Sequence, residues 1–239
     1  IAKIPMRPDE AALYARIERY IMNGHADGMI LMSLHKQDPL LQLLTRTHTP
    51  VVLSGRPFAG DNVPYVDSDN RLGAARAVQH LVATGRKHIA TITGSADMPV
   101  GVDRLEGFRD ALPSWAKKSW RRMVAHGDFS EESGERAMEQ LLDEHPETDG
   151  VFVASDLMAQ GALVVLHERN IRVPDDVAVV GFDDSAVAKT CRPPLATIRH
   201  PVEDMASEMT RLLLDNIDSP DQRVKSVIFE PTLVIRESA

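Results

Sequence analysis

Short β-branched runs alternate with amphipathic stretches along nearly the whole chain, and that rhythm leaves few folds open. Gly28-Met29-Ile30-Leu31-Met32-Ser33, Val51-Val52-Leu53 and His88-Ile89-Ala90-Thr91-Ile92 read as buried strands. Met123-Val124-Ala125, Val151-Phe152-Val153-Ala154 and Val177-Ala178-Val179-Val180 continue the series. Between them the apolar spacing predicts helices over 9–22, from Asp38-Pro39 onward, and over 70–84, 103–112, 130–144 and 156–169. Strands that alternate with helices pair in parallel, because each crossover must return the chain to the same end of the sheet. The helix from Asn70 puts Leu72, Ala75, Val78, Leu81 and Val82 on one face, and Gly85 is placed to end it. Leu195 to Arg199, a helix from Pro201 to about Asn216, and an extended stretch from Val227 to Ile235 complete the chain. The architecture repeats on either side of Gly94 to Gly101, so we expect two similar α/β lobes with a hinge there. The opening Ile1-Ala2-Lys3-Ile4 reads as a strand, with an earlier strand and helix expected to be absent.

Composition narrows the function. Acidic residues exceed basic ones by 35 to 27, a net charge of −8. That balance argues against this segment gripping phosphates by itself, which needs clustered cations. Lys117-Lys118 with Arg121-Arg122 is the one dense basic stretch, read as a solvated surface turn. The single Cys191 excludes an intrachain disulfide and fits a reducing, cytoplasmic setting. No apolar run is long enough to span a bilayer. Phosphate-cradling glycine loops, a G-x-S-x-G elbow and paired histidines at metal spacing are missing, so neither a cofactor nor a metal is expected.

The polar residues gather in one kind of place. Ligands of open parallel sheets bind beyond the carboxyl ends of the strands. There the chain carries Tyr65-Val66-Asp67-Ser68-Asp69-Asn70, Thr93-Gly94 leading to Asp103-Arg104, Gly127-Asp128-Phe129, Ala154-Ser155-Asp156 and Gly181-Phe182-Asp183-Asp184. Carboxylates accept from hydroxyls, a guanidinium donates in a fixed fork, and an aromatic ring covers an apolar sugar face. This mixture suits a neutral, hydroxyl-rich molecule. Each residue also has a plainer reading. Asp69 and Asp156 fit helix caps, Asp183 and Asp184 fit turn acids, Arg104 fits an exposed charge, and Phe129 fits the core.

Gly55-Arg56-Pro57, Tyr65 to Asn70, and Leu81-Val82-Ala83-Thr84-Gly85-Arg86-Lys87-His88-Ile89-Ala90 come in that order. They are followed by Asp103-Arg104-Leu105-Glu106-Gly107-Phe108, Gly127-Asp128-Phe129-Ser130, Ser155-Asp156, and Val173-Pro174-Asp175-Asp176-Val177 through Asp184. With Pro194-Leu195-Ala196-Thr197-Ile198-Arg199, the series resembles the lactose-repressor (LacI/GalR) regulators from end to end. The resemblance implies a periplasmic-binding-protein-like fold with two Rossmann-like lobes, an interlobe cleft and no enzymatic activity. It divides the chain into an N-terminal lobe, 1–95 with 196–220, and a C-terminal lobe, 96–195 with 221–239. It also implies a cytoplasmic homodimer that reaches operator DNA through a preceding helix-turn-helix and has no membrane partner.

The resemblance further implies that a mono- or disaccharide effector is held by Arg104, Phe129, Ser155, Asp156, Asp183 and Asp69. Val100 stands where some members carry a contacting Ser, so that contact is expected to be lost; Ala196 replaces a commoner Thr. Met98-Pro99-Val100-Gly101-Val102-Asp103 is reminiscent of actinobacterial regulators of disaccharide use, pointing to cellobiose- or maltose-like ligands. A transport sugar-binding protein shares the fold, but Gly55 to Asn70 and the closing Glu230 to Ser238 look more like regulators. A sugar- or nucleoside-processing enzyme is the other rival, separable by a turnover assay.

Overall fold

The computed structural model describes residues 8–32, 35–36, 40, 48–58, 63–219 and 225–239. The expected opening strand and the helix start at Asp38-Pro39 lie outside the described residues. The chain folds as two compact units, Ile1–Asp67 with Glu203–Val227, and Ser68–Val202 with Ile228–Ala239.

In the smaller unit, helix α1 (Pro8–Met22) precedes strands β1 (Met29–Met32) and β2 (Val51–Ser54). The two strands pair in parallel, with Met29 opposite Val51. A further parallel strand, β3 (Tyr65–Ser68), pairs with β2 through Leu53 opposite Tyr65. Ile21, Leu31, Val51 and Leu53 form its core.

The larger unit is built on a six-stranded sheet. Its elements are α2 (Asn70–Ala83), β4 (Ile89–Thr93), α3 (Pro99–Ala111), β5 (Val124–His126), α4 (Glu131–Glu144), β6 (Gly150–Val153) and α5 (Asp156–Glu168). They continue with β7 (Ala178–Asp183), the short α6 (Ala186–Thr190), β8 (Ala196–Arg199) and β10 (Thr232–Val234). Helix α7 (Val202–Asp218) and strand β9 (Val227–Phe229) lie between β8 and β10 in sequence. The strand order is β10-β8-β7-β6-β4-β5, parallel throughout except for antiparallel β10. Side chains alternate across the strands, so each face takes its own helical layer. Val151, Val153 and Val179 pack with Met138, Leu141, Met158 and Leu166 of α4 and α5. Phe152, Val180 and Phe182 pack on the opposite side with Ala77, Leu81 and Phe108 of α2 and α3.

Four features depart from the sequence reading. The division between units falls at Ser68 rather than after residue 95, because β4 sits between β5 and β6 in the larger sheet and α2 packs on that sheet. The expected hinge at Gly94 to Gly101 is partly helical: α3 begins at Pro99, a residue whose fixed φ suits the first helical turn. The buried face of α2 is Gly73, Ala74, Ala77, Val78 and Leu81, a rotation away from Leu72, Ala75 and Val82. A Cβ at Gly73 would stand 2.7 Å from the Phe182 ring, so the smallest residues lie against the sheet and the larger ones take the flank. Finally, the stretch from Val227 to Ile235 is two strands in different sheets, β9 beside β3 and β10 beside β8, parted at Glu230-Pro231. Proline has no N–H to donate to a ladder, which makes it a natural break.

Candidate functional site

Because β5, β4, β6, β7 and β8 run parallel, their carboxyl ends share one edge of the larger unit. Phe129 follows β5, Gly94 follows β4, Ser155 and Asp156 follow β6, Asp183 ends β7, and His200 follows β8. Arg104 comes from α3, the helix entered from β4.

Arg104 and Asp183 are brought together. The guanidinium is only 5% exposed. Its Nε donates to Asn70 Oδ1 at 3.0 Å, and one Nη donates to the Ala154 carbonyl at 2.5 Å and lies 3.3 Å from Asp183 Oδ1. The other Nη lies 3.1 Å from His200 Nε2, and the plane stacks 3.6 Å from the centre of the Phe182 ring. The fork is thus fixed on both edges and one face by the fold itself. Asp183 is the open partner: its side chain keeps 37% of its surface, and its other contact is His200 Nε2 at 3.3 Å. Asp183 thus presents an open carboxylate with Arg104 behind it.

Two residues of this corner were not among the expected site residues. Asn70 is 4% exposed; its amide donates to the Ser68 carbonyl and its oxygen receives Arg104. His200 packs its ring 5.0 Å from Phe182. The strand-tip argument, applied to β8 as it was to β7, finds His200. Asn70 stands in the same strand-tip run as Asp69, but its position at the start of a helix gave no reason to assign it a role of its own.

The remaining expected residues divide. Phe129 stands at the far end of the same edge with φ at +74°. Its ring lies so close over Gly94 that a Cβ there would come within 2.0 Å. It is half-buried against the core. Ser155 caps α5, accepting from Met158 N at 3.2 Å, and is 5% exposed. Asp69 caps α2, accepting from Leu72 N at 2.8 Å, and sits next to the Asn70 that positions Arg104.

Asp156 lies beneath the rim, with no exposed surface. Thr197 Oγ1 donates to one of its oxygens at 2.5 Å and Ser185 N to the other at 2.7 Å. Burial pushes its pKa up to about 6, against the pull of those two hydrogen bonds. Asp184, with a side chain 4% exposed, is likewise interior and is held by Arg199 and Arg236. Burial works to raise its pKa, but the two guanidinium hydrogen bonds outweigh it and the value is lowered. Asp183 and Asp184 both have positive φ, +116° and +53°, which turns the two neighbouring side chains apart. Among the described residues, no group of three or more His, Cys, Asp or Glu could hold a metal ion.

The profile of the periplasmic binding protein-like domain matches residues 78–239. The HTH-type transcriptional regulator CelR of Thermobifida fusca is 44% identical over 227 residues, covering 94% of this chain and 67% of the relative. The HTH-type transcriptional repressor PurR of Shigella dysenteriae is 32% identical over 214 residues, covering 89% and 63%. The solved complex of the transcriptional regulator CelR with cellobiose superposes with a TM-score of 0.90 at 44% identity, covering 95% of this chain and 70% of that one. The chain thus spans about two thirds of the length of the curated relatives it matches.

Proposed function

The chain belongs to the LacI family of transcriptional regulators, and we propose that it is the effector-sensing part of a cytoplasmic repressor that answers to a disaccharide of the cellobiose type. The observation that carries this reading is the Arg104–Asp183 corner: a prefixed guanidinium behind a carboxylate that is still open. Phe129 supports a ligand longer than one sugar ring. Between β7 and β5 lie three strand spacings, about 14 Å at ~4.8 Å each. A molecule hydrogen-bonded at Asp183 and covered at Phe129 spans that length. The similarity to a regulator solved with cellobiose points the same way.

The sensor binds without turnover. A sugar that prefers one arrangement of the protein draws the population toward it, and only by the difference between its affinities for the two arrangements. In the whole regulator this coupling releases operator DNA from the DNA-reading part. Self-association is supported by α5, where Leu157 and Val164, two helical turns apart on one face, are 41% and 38% exposed. We propose that this face serves a homodimer.

The test is calorimetric titration of cellobiose into the chain and into Asp183→Asn, with ribose as comparison sugar. Saturable cellobiose binding that weakens at least tenfold in the variant, with the variant still folded by circular dichroism, supports the reading. Absence of binding, or affinity indifferent to residue 183, sinks it.

A further inference from the structure

At the opposite, amino end of the same sheet lies a groove of about 720 Å³, within the size range of small-molecule sites. Val82, Ile89, Leu112, Ala116 and Met123 give it an apolar floor. Trp115 and Trp120 stand in its wall, and Arg86, Lys87, His88 and Glu147 edge it. These two tryptophans are the only ones in the chain. Trp115 leaves 56% of its surface open, although large apolar rings are normally covered. Trp120 already carries Arg121, whose guanidinium carbon lies 4.9 Å from the ring centre.

The charge around this groove runs against that of the chain. The net charge is −8, yet Lys117, Lys118, Arg121 and Arg122 occupy the exposed positions of the segment whose Trp115, Ala116, Ser119 and Trp120 line the groove. None of the four, nor Lys87, forms an ion pair among the described residues. Unpaired cations beside an open indole attract an anion that also carries a flat ring: the charge is met by the ammonium and guanidinium groups, the ring by stacking. Glu147 adds an acceptor for an amino or hydroxyl group on that ring.

We propose that this groove is a second ligand site, distinct from the sugar corner, for a small organic anion with a flat ring, of which a nucleoside monophosphate is the representative probe. It does not depend on the sugar reading. Because Trp120 also borders a smaller hollow of about 200 Å³ beside Gly94, the variant Trp120→Phe leaves Trp115 as the sole reporter of the groove.

The experiment follows Trp115 fluorescence in that variant during titration with adenosine monophosphate, adenosine, ribose 5-phosphate and benzoate. We expect a saturable change with adenosine monophosphate, weakened about tenfold or more on removing either the phosphate or the ring. Lys87→Glu should weaken it similarly while leaving cellobiose affinity unchanged. Asp183→Asn should leave it unaltered. The proposal is overturned if neither adenosine monophosphate nor benzoate gives a saturable change, if Lys87→Glu has no effect, or if cellobiose competes for the same site. A response to hexaglutamate with none to adenosine monophosphate overturns it in favour of an acidic peptide partner.

Discussion

Two acid-bearing corners of the larger unit lie at the ends of neighbouring strands and use the same chemistry to opposite ends. At one, Asp183 faces outward with Arg104 and His200 behind it. At the other, Asp156 and Asp184 point inward, each with both oxygens committed to the fold. The first corner keeps an acceptor available; the second spends its acceptors on holding β7, β8 and the turn after β7 in register. Residues 183 and 184 are adjacent in sequence, so the difference is made by backbone turn and not by residue type. A carboxylate is a binding group only where the fold leaves it unfinished.

The comparison is most sharply tested at the closed corner. Asp184→Ala leaves the guanidinium of Arg236, itself largely buried, without its carboxylate, a type of loss that costs about 3–5 kcal/mol. Denaturant unfolding should show it, with cellobiose affinity retained wherever the variant is folded. A cost below about 1 kcal/mol would mean that the corner is not a structural clamp.

Arg104→Ala is expected to damage both functions at once. It strands Asn70 Oδ1 and the Ala154 carbonyl and uncovers Phe182, for about 2–3 kcal/mol of stability. It also removes the backing of Asp183, weakening cellobiose by on the order of a hundredfold. Asp183→Asn separates the two by keeping the contacts of Arg104 with Asn70, Ala154 and Phe182 while removing the open carboxylate. If Arg104→Ala binds cellobiose normally in calorimetry, the open corner is not the sugar site.

Asp156 sharpens the contrast through pH. Its folded pKa, about 6, stands above the unfolded value of about 3.9. Between those values the folded state holds a proton that the unfolded chain has lost, so stability falls as pH rises from about 4 to 6 and then levels. The span amounts to roughly 3 kcal/mol from this group. Asp156→Asn keeps an acceptor for Ser185 and a donor for Thr197 without titrating. Unfolding free energies measured across that window should lose this component in the variant. Unchanged pH dependence would place the proton elsewhere.

The smallest effect belongs to Asp69→Ala, which removes the cap of α2 for about 1 kcal/mol. A much larger drop in sugar affinity than in stability would show that Asp69 acts on the ligand as well as on its helix.

The parallel-sheet architecture was legible because period and strand composition carry it, and the rim was legible because strand ends of a parallel sheet must share a side. What the pattern did not disclose is depth. Asp156 and Asp183 look alike at the ends of their strands, and only the packing of Thr197, Ser185 and Gly181 around the former closes it off. The face of α2 was misread for a related reason: hydrophobicity favours large side chains, whereas close helix–sheet approach at Phe182 favours Gly73 and Ala77. Asn70 stands at a strand tip like its neighbours, but its role is to hold Arg104 from behind, and that role has no signature of its own in the sequence.

The left-handed backbone at Phe129, Asp183 and Asp184 has a consequence for any attempt to toughen this protein. Residues with a Cβ pay on the order of 1 kcal/mol or more to sit there, a penalty glycine escapes. Glycine at 129 would forfeit the packing of the ring, and glycine at 183 would leave the Arg104 guanidinium without its carboxylate, so the backbone penalty is no free margin that a screen for heat resistance could collect.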